Sequence, residues 1–383
     1  MNARGFSRAS EETKKAGTQA GIVWDDDAPL ALHWASPALY SPLPDKRNIL
    51  YTVWESPELA PEVIEAFAHP LTHAILTPST FCQHIFQLHT KKPVYTVPHG
   101  FDPAVFHGTK REWSPLAVMS ATRHGLSPNG GSRPMLHPFI CLYVGALNPR
   151  KGTDFIVDFW QAFVRGMLQQ GRARELGIFQ LIVKTNMRLD AEASQIMAEG
   201  LETGEFSLLA QEERGFVLRQ NWRSRDAQSG QPIWRAGNLI IDTRAFTDAE
   251  MADLYRAAHL FLFPTRAEGF GLTALEAVAT GLPIIATNYS GHLDFLDTET
   301  AYLTKWKLVL LPNTRGLMQT MAQPDARDFA DKFSTVIANY RRAAIIGQRA
   351  AAHVHAHFTW EQVGKRLKEV LLNLTHMKRK KYP

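Results

Sequence analysis

Short continuous apolar runs alternate with stretches of helical spacing along most of the chain. In the first part the apolar runs fall at 20–24, 48–54, 73–77 and 93–98. Helical spacing follows the prolines at 61–68 and again at 79–88, where Ser79 stands as an N-cap. Gly5-Phe6-Ser7-Arg8 reads as a turn leading into a short helix that ends near Gly17. In the second part, strands are predicted at 139–144, 179–184, 239–242, 260–263 and 283–287. Helices are predicted at 153–167, 248–258, 272–280 and 361–374. Unbroken apolar strands between helices imply parallel sheets covered on both faces, hence an α/β fold.

Two stretches interrupt the alternation. Residues 122–138 hold Ser127-Pro128-Asn129-Gly130-Gly131-Ser132-Arg133-Pro134, the clearest linker in the chain. Residues 202–237 are polar and read as an insertion on a surface loop. The resulting division is 1–135, 136–357, and a closing segment 358–383 with a basic tail. Only Met1 to Arg4 precede the Gly5 turn, so a first strand is expected to be short or missing.

Composition changes this picture little. The chain has 383 residues, 45% of them hydrophobic, and a net charge of +5. Each half is long enough for a core without staples. The two cysteines, Cys82 and Cys141, offer neither a disulfide framework nor zinc spacing, which suits a reducing cytoplasm. No apolar run is long enough to span a bilayer, and no signal peptide is found. The positive balance favours anionic partners such as nucleotides, phosphorylated acceptors or lipid head groups. A concentrated basic-aromatic stretch for nucleic acid is lacking.

Chemistry concentrates in two segments. Glu268-Gly269-Phe270-Gly271-Leu272-Thr273-Ala274-Leu275-Glu276 follows a strand and opens a helix. Free N–H groups and the helix dipole make such a junction an anion site, and the glycines let a ligand approach the backbone. Carboxylates accept hydrogen bonds from vicinal diols, so Glu276 in the helix suits a ribose and Glu268 on the loop suits a second sugar. Tyr143-Val144-Gly145-Ala146-Leu147-Asn148-Pro149-Arg150-Lys151-Gly152 follows the strand at 139–144. Its two cations suit a diphosphate and would neutralise charge on a leaving nucleotide.

With Tyr255-Arg256-Ala257-Ala258 and the run from Gly281 to Gly291, these segments resemble glycosyltransferase family 4 over residues 139–300. Phe358-Thr359-Trp360 is similar to that family's crossover segment; the first half matches more loosely, at 51–55, 77–79 and 97–102. The resemblance implies the GT-B fold: two Rossmann-like doubly wound domains facing a cleft, the N-terminal one abbreviated here. It implies a retaining hexosyl transfer from a nucleotide-diphosphate sugar, a UDP- or GDP-sugar, with no metal and no cofactor. Lys151 and Glu268 become the catalytic pair. Arg150, Gly269, Phe270, Gly271, Leu272, Thr273, Glu276 and Lys184 become donor-binding residues. Gly5, Glu55 and His99 face the acceptor or the cleft. Ala146 stands where many relatives carry an arginine, and Arg150 is the candidate to compensate.

Other features have plainer readings. Trp24, Trp34, Tyr40, Tyr51 and Trp54 are expected in the core rather than stacked on a sugar. His353, His355 and His357 lack neighbouring carboxylates or cysteines and are not read as a metal site. The apolar face of the last helix is expected to pack back on the first domain, although that helix and the basic tail also allow peripheral contact with the inner face of a membrane. A GT-B protein that binds without turnover, and a sugar-nucleotide epimerase, are the alternative functions.

Overall fold

The computed structural model describes residues 3–108, 138–185, 201–203, 205–212, 215–225, 232–312 and 318–376. The linker expected within 122–138 falls almost wholly outside these residues, as does the basic tail. The first half contains four parallel strands in chain order: β1 (Leu30–Trp34), β2 (Arg47–Tyr51), β3 (Thr72–Thr77) and β4 (Val94–Thr96). Successive β2 side chains enter opposite cores. Leu50 meets Phe67 and Phe86 from the helices Pro61–Ala68 and Thr80–Gln87 on one face. Ile49 and Tyr51 meet Val363 and Leu367 of the final helix, Trp360–His376, on the other. Burial on both faces is why Ile49, Leu50 and Tyr51 form a continuous apolar run.

The final helix is therefore core for the first half, as its pattern predicts. The chain crosses back where Phe101 N donates to Phe358 O at 3.1 Å and Trp360 N donates to Phe101 O at 3.2 Å. Gly364 lets the N-terminal helix Ala3–Gln19 lie against this element, since a Cβ there would stand 2.2 Å from the Ala16 carbonyl oxygen. Leu367 is fully buried. Leu367→Ala is expected to cost about 2–5 kcal/mol in urea unfolding, read as a lower midpoint. An unchanged midpoint would mean that the helix is not docked.

The second half is a larger sheet of strand order β12-β11-β10-β5-β6-β9-β8-β7. Its members are β5 (Phe139–Val144), β6 (Phe179–Lys184), β7 (Phe206–Glu212), β8 (Gly215–Arg225), β9 (Pro232–Asp242), β10 (Leu260–Phe263), β11 (Ile284–Thr287) and β12 (Tyr302–Thr304). The chain begins in the middle at β5, winds outward through β6 and β9, then returns to the other side of β5 with β10. The β5/β10 junction is a topological switch point, where the loops leaving the carboxyl ends of adjacent strands diverge and open a crevice. Both chemistry-bearing segments leave the sheet there. An antiparallel pair, β13 (Trp306–Pro312) and β14 (Met318–Pro324), lies outside this sheet.

Several expectations are corrected. Gly5 to Arg8 do not form a turn; they lie within the helix Ala3–Gln19, which continues past Gly17. Residues 20–24 are not a strand. Gly21 turns the chain with φ 81°, and Ile22 and Trp24 pack beside the final helix instead of joining a sheet. The polar stretch 202–237 is not a loop, because β7, β8 and the start of β9 form an antiparallel extension of the sheet. Antiparallel strands at a sheet margin can keep a solvated face, so they need no continuous apolar run. β1 and the helices Ala326–Ala338 and Tyr340–His357 are additions to the predicted elements.

Candidate active site

The cationic turn is held by its own backbone and by one buried arginine. The Asn148 side chain accepts the Lys151 amide at 3.0 Å and opens a single 3-10 turn, Pro149–Lys151. The Tyr143 hydroxyl lies 2.8 Å from Thr153 Oγ1 and donates to the Lys151 carbonyl at 3.3 Å. Gly152 ends the turn in the left-handed region, φ 74°, where glycine carries no Cβ penalty. Arg266 grips both Asp154 carboxylate oxygens, at 2.7 and 2.6 Å, and also donates to the Pro149 carbonyl. Its amide donates to the Arg150 carbonyl at 2.8 Å. The loop after β10 thus fixes the loop after β5.

Those two loops bring the predicted catalytic pair together. Lys151 Nζ lies 2.6 Å from Glu268 Oε1, and Arg150 Nη1 lies 3.5 Å from Glu268 Oε2. Thr265 Oγ1 donates to Glu268 Oε1 at 3.0 Å, and the Glu268 amide donates to Ser290 Oγ at 2.8 Å. Ser290, which accepts that bond, holds φ 80° and is the sole non-glycine with positive φ among the described residues. Burial pushes the Glu268 carboxyl up, but Lys151 and Arg150 outweigh it and hold it below the ordinary carboxylate range. Burial also draws Lys151 down, against the pull of Glu268. The 2.6 Å contact is that of an ammonium with a carboxylate.

Glu276 lies at the same end of the sheet, within the helix Leu272–Ala279, and is 4% exposed. Arg8 Nη2 reaches its Oε1 at 3.1 Å, and the Tyr255 hydroxyl lies 3.5 Å from its Oε2. Oε1 nevertheless accepts no hydrogen bond among the described residues. A buried acceptor left open in this way suits a ligand hydroxyl. Burial raises the Glu276 carboxyl to about 7.

The remaining predicted residues have distinct surroundings. Gly269 meets the first half, since a Cβ would stand 2.0 Å from Val53 Cγ2. Gly271 caps the following helix with φ 96°, and Leu272 and Thr273 form its half-buried first turn. The Phe270 ring is core, packed on Phe295, Phe358 and His99. Its contribution to a ligand is confined to backbone. Lys184 is buried, and its ammonium donates to the carbonyls of Thr185 and Arg244 and lies over the Phe246 ring. Glu55 crosses from the first half to Arg150 Nη2 at 3.4 Å. His99 is also buried; burial lowers it to about 4, so it is a neutral ring against Tyr51 and Phe270. Gly5 lies in the N-terminal helix rather than on a loop over the site.

Further bonds tie the halves beside this cluster. The Thr80 amide and hydroxyl donate to the Asp294 carboxylate at 2.8 and 2.5 Å. Cys82 Sγ donates across to the Gly269 carbonyl at 3.5 Å. A surface hollow of about 330 Å³ lined by Asp102, His355 and Trp360, among others, contains none of the site residues. The cations instead face carboxylates of both halves, Glu268 and Glu55. Sequence reasoning missed Arg266, Thr265, Ser290 and Arg8. Arg266 and Thr265 lie just ahead of Glu268, so only their proximity to the motif was a signal.

Residues 222–367 match a family described as "Family 4 Glycosyltransferase in conflict systems". This stretch is similar to glycosyltransferase family 4. Among family relatives, the chain is 28% identical to D-inositol 3-phosphate glycosyltransferase of Corynebacterium urealyticum over 128 residues, 33% of this chain and 26% of that protein. It is 64% identical over 36 residues to the lipopolysaccharide core biosynthesis mannosyltransferase LpsB of Rhizobium meliloti, 9% of this chain and 10% of that one. The matched stretches thus span about a quarter of such relatives at most. Sucrose-phosphate synthase from Thermosynechococcus elongatus shares the fold with a TM-score of 0.57 at 15% identity, covering 98% of this chain and 80% of that one. Anabaena HepE, solved with UDP and glucose, gives 0.54 at 14% identity over 85% and 72% of the two chains. The chain therefore has the GT-B fold that its motifs imply.

Proposed function

We propose that this chain is a retaining, metal-independent glycosyltransferase moving a hexose from a UDP- or GDP-sugar to a sugar or lipid-linked acceptor. The observation that carries the reading is the meeting of Lys151, Arg150 and Glu268 at the β5/β10 switch point, with the open carboxylate of Glu276 at the same sheet end. In the proposed ground state the donor diphosphate takes over the two cations and releases Glu268 to the hydroxyls of the transferred sugar. The ribose diol binds Glu276. The bond between the anomeric carbon and the phosphate oxygen then breaks, while the acceptor oxygen attacks on the same face. Its proton passes to the departing phosphate, and the nucleoside diphosphate leaves. Lys151 and Arg150 neutralise the developing negative charge, the task a metal ion would otherwise perform.

The bound UDP and glucose of HepE, a protein of the same fold, support the donor class. The two sheets support a division of the chain into halves, and the final helix, which packs on the first sheet, supports the closing segment 358–383; the boundary at 135/136 lies outside the described residues. Two free buried thiols support a cytoplasmic setting. The net charge of +5 supports peripheral contact with an anionic membrane surface, and among the described residues no helix is long and apolar enough to cross one.

A panel of UDP- and GDP-sugars tests the proposal by thermal shift. A true donor at a hundred times its Kd should add about 2.7 kcal/mol, seen as a rise of several degrees in Tm. If no nucleotide sugar moves Tm, the donor site is misassigned. A shift with isomer formed in the absence of acceptor indicates an epimerase, and a shift without any turnover indicates a binding protein.

A further inference from the structure

The N-terminal helix reaches across to the second half at one point. Arg8 Nη2 lies 2.8 Å from Asp248 Oδ2 and 3.1 Å from Glu276 Oε1. Asp248 opens the helix Asp248–Ala257, which also carries Tyr255. One guanidinium nitrogen thus joins three elements that are remote in sequence. Arg8 is 40% exposed, whereas the Glu276 side chain is 5% exposed, so Arg8 stands between the buried carboxylate and solvent. The ion pair leaves the acceptor capacity of Glu276 Oε1 unfilled. A plug would consume that capacity; a neighbouring cation that leaves it open instead holds the charge and aim of the carboxylate.

We propose that Arg8 is a positioning residue of the nucleotide site, supplied by the first half to complete the ribose grip at Glu276. This rests on the donor reading above and adds to it a dependence on the N-terminal helix. Removing the cation leaves Asp248 and the burial of Glu276 both favouring the protonated acid. A protonated carboxyl offers less acceptor capacity to a diol. The groups facing Glu276 are Arg8 from one helix, and Asp248 and Tyr255 from another; burial is the largest influence, Arg8 opposes it, and Asp248 adds to it. The carboxyl is raised, so its ionised form is gained as pH rises through about 7. Loss of Arg8 moves that gain to higher pH.

The test is calorimetric titration of UDP-glucose and GDP-mannose between pH 6 and 9, since their diesterified phosphates carry no proton that titrates in this range. The proteins are wild type, Arg8→Lys, Arg8→Met and Glu276→Gln, each checked by circular dichroism. Wild type should bind more tightly as pH passes 7. Arg8→Met should bind about fivefold more weakly at pH 7, as one unit of displacement gives for a group that ionises near 7, and recover toward pH 9. Arg8→Lys should stay near wild type, and Glu276→Gln should be weak and flat with pH. An unchanged profile in Arg8→Met, or tighter binding at every pH, overturns the positioning role while leaving the donor reading intact. Wild type that binds neither nucleotide sugar overturns the donor reading itself.

Discussion

Lys151→Ala is expected to lower kcat for nucleoside diphosphate release by about 10²–10³-fold, equivalent to about 3–4 kcal/mol of transition-state stabilisation. The ammonium is 2.6 Å from Glu268, in a cluster whose other cation, Arg150, is shared with Glu55 and the Ala267 carbonyl. Arg150 is therefore geometrically tied on several sides, while Lys151 has a single carboxylate to exchange for phosphate. Negative charge on the bridging oxygen grows as the glycosidic bond breaks. The lost interaction is thus stronger in the transition state than in the ground state, and kcat should fall more than KM rises. Lys151→Arg should restore part of the rate. The fold should persist, because Glu268 keeps Arg150 and Thr265 as partners. Steady-state kinetics with the donor found by thermal shift makes the check. A variant with unchanged kcat would remove Lys151 from the chemistry.

A large effect on stability is expected from Gly152→Ala. A Cβ at this position would stand 2.1 Å from the Pro264 carbonyl oxygen and 2.9 Å from its carbon. Both are backbone atoms at the end of β10, so neither can rotate away. The residue also sits at φ 74°. Left-handed backbone costs a residue with a Cβ about 1–2 kcal/mol, and the collision adds to this. A loss of about 3 kcal/mol or more follows, with Tm several degrees lower. Gly171→Ala is the control: its φ is 71°, yet nothing lies within 4 Å of the added Cβ. It should lose only the backbone part, about 1–2 kcal/mol. Equal losses in the two variants would mean that the β5 and β10 loops are not held against each other as described.

The parts of the fold that were legible share one physical trait. β5, β10 and β11 are short apolar runs buried on both faces, and each leads into a turn with glycine or proline. Such strands announce themselves in sequence, and so do the motifs at their carboxyl ends. The antiparallel strands β7 and β8 and the start of β9 escaped notice because residues such as Gln220, Asn221 and Arg219 keep the run polar. β1 escaped because its apolar run, Leu30-Ala31-Leu32, is short, follows a proline and breaks at His33. Glu268 and Lys151 were readable from local motifs, since each loop carries its chemistry in adjacent residues. The Arg8–Glu276 pair was not, because it joins the two chain halves and no local pattern records that proximity. Arg266 was missed for a related reason. It binds no ligand in the scheme above, but its grip on Asp154 and Pro149 fixes the turn that carries the cations.

A diffraction structure with a nucleoside diphosphate bound addresses the central arrangement directly. The account predicts the diphosphate within hydrogen-bonding distance of Lys151 Nζ and the ribose hydroxyls on the Glu276 carboxylate, with the Lys151–Glu268 contact lengthened. A nucleotide seated elsewhere, with Lys151 and Glu268 still paired and Glu276 untouched, would contradict it.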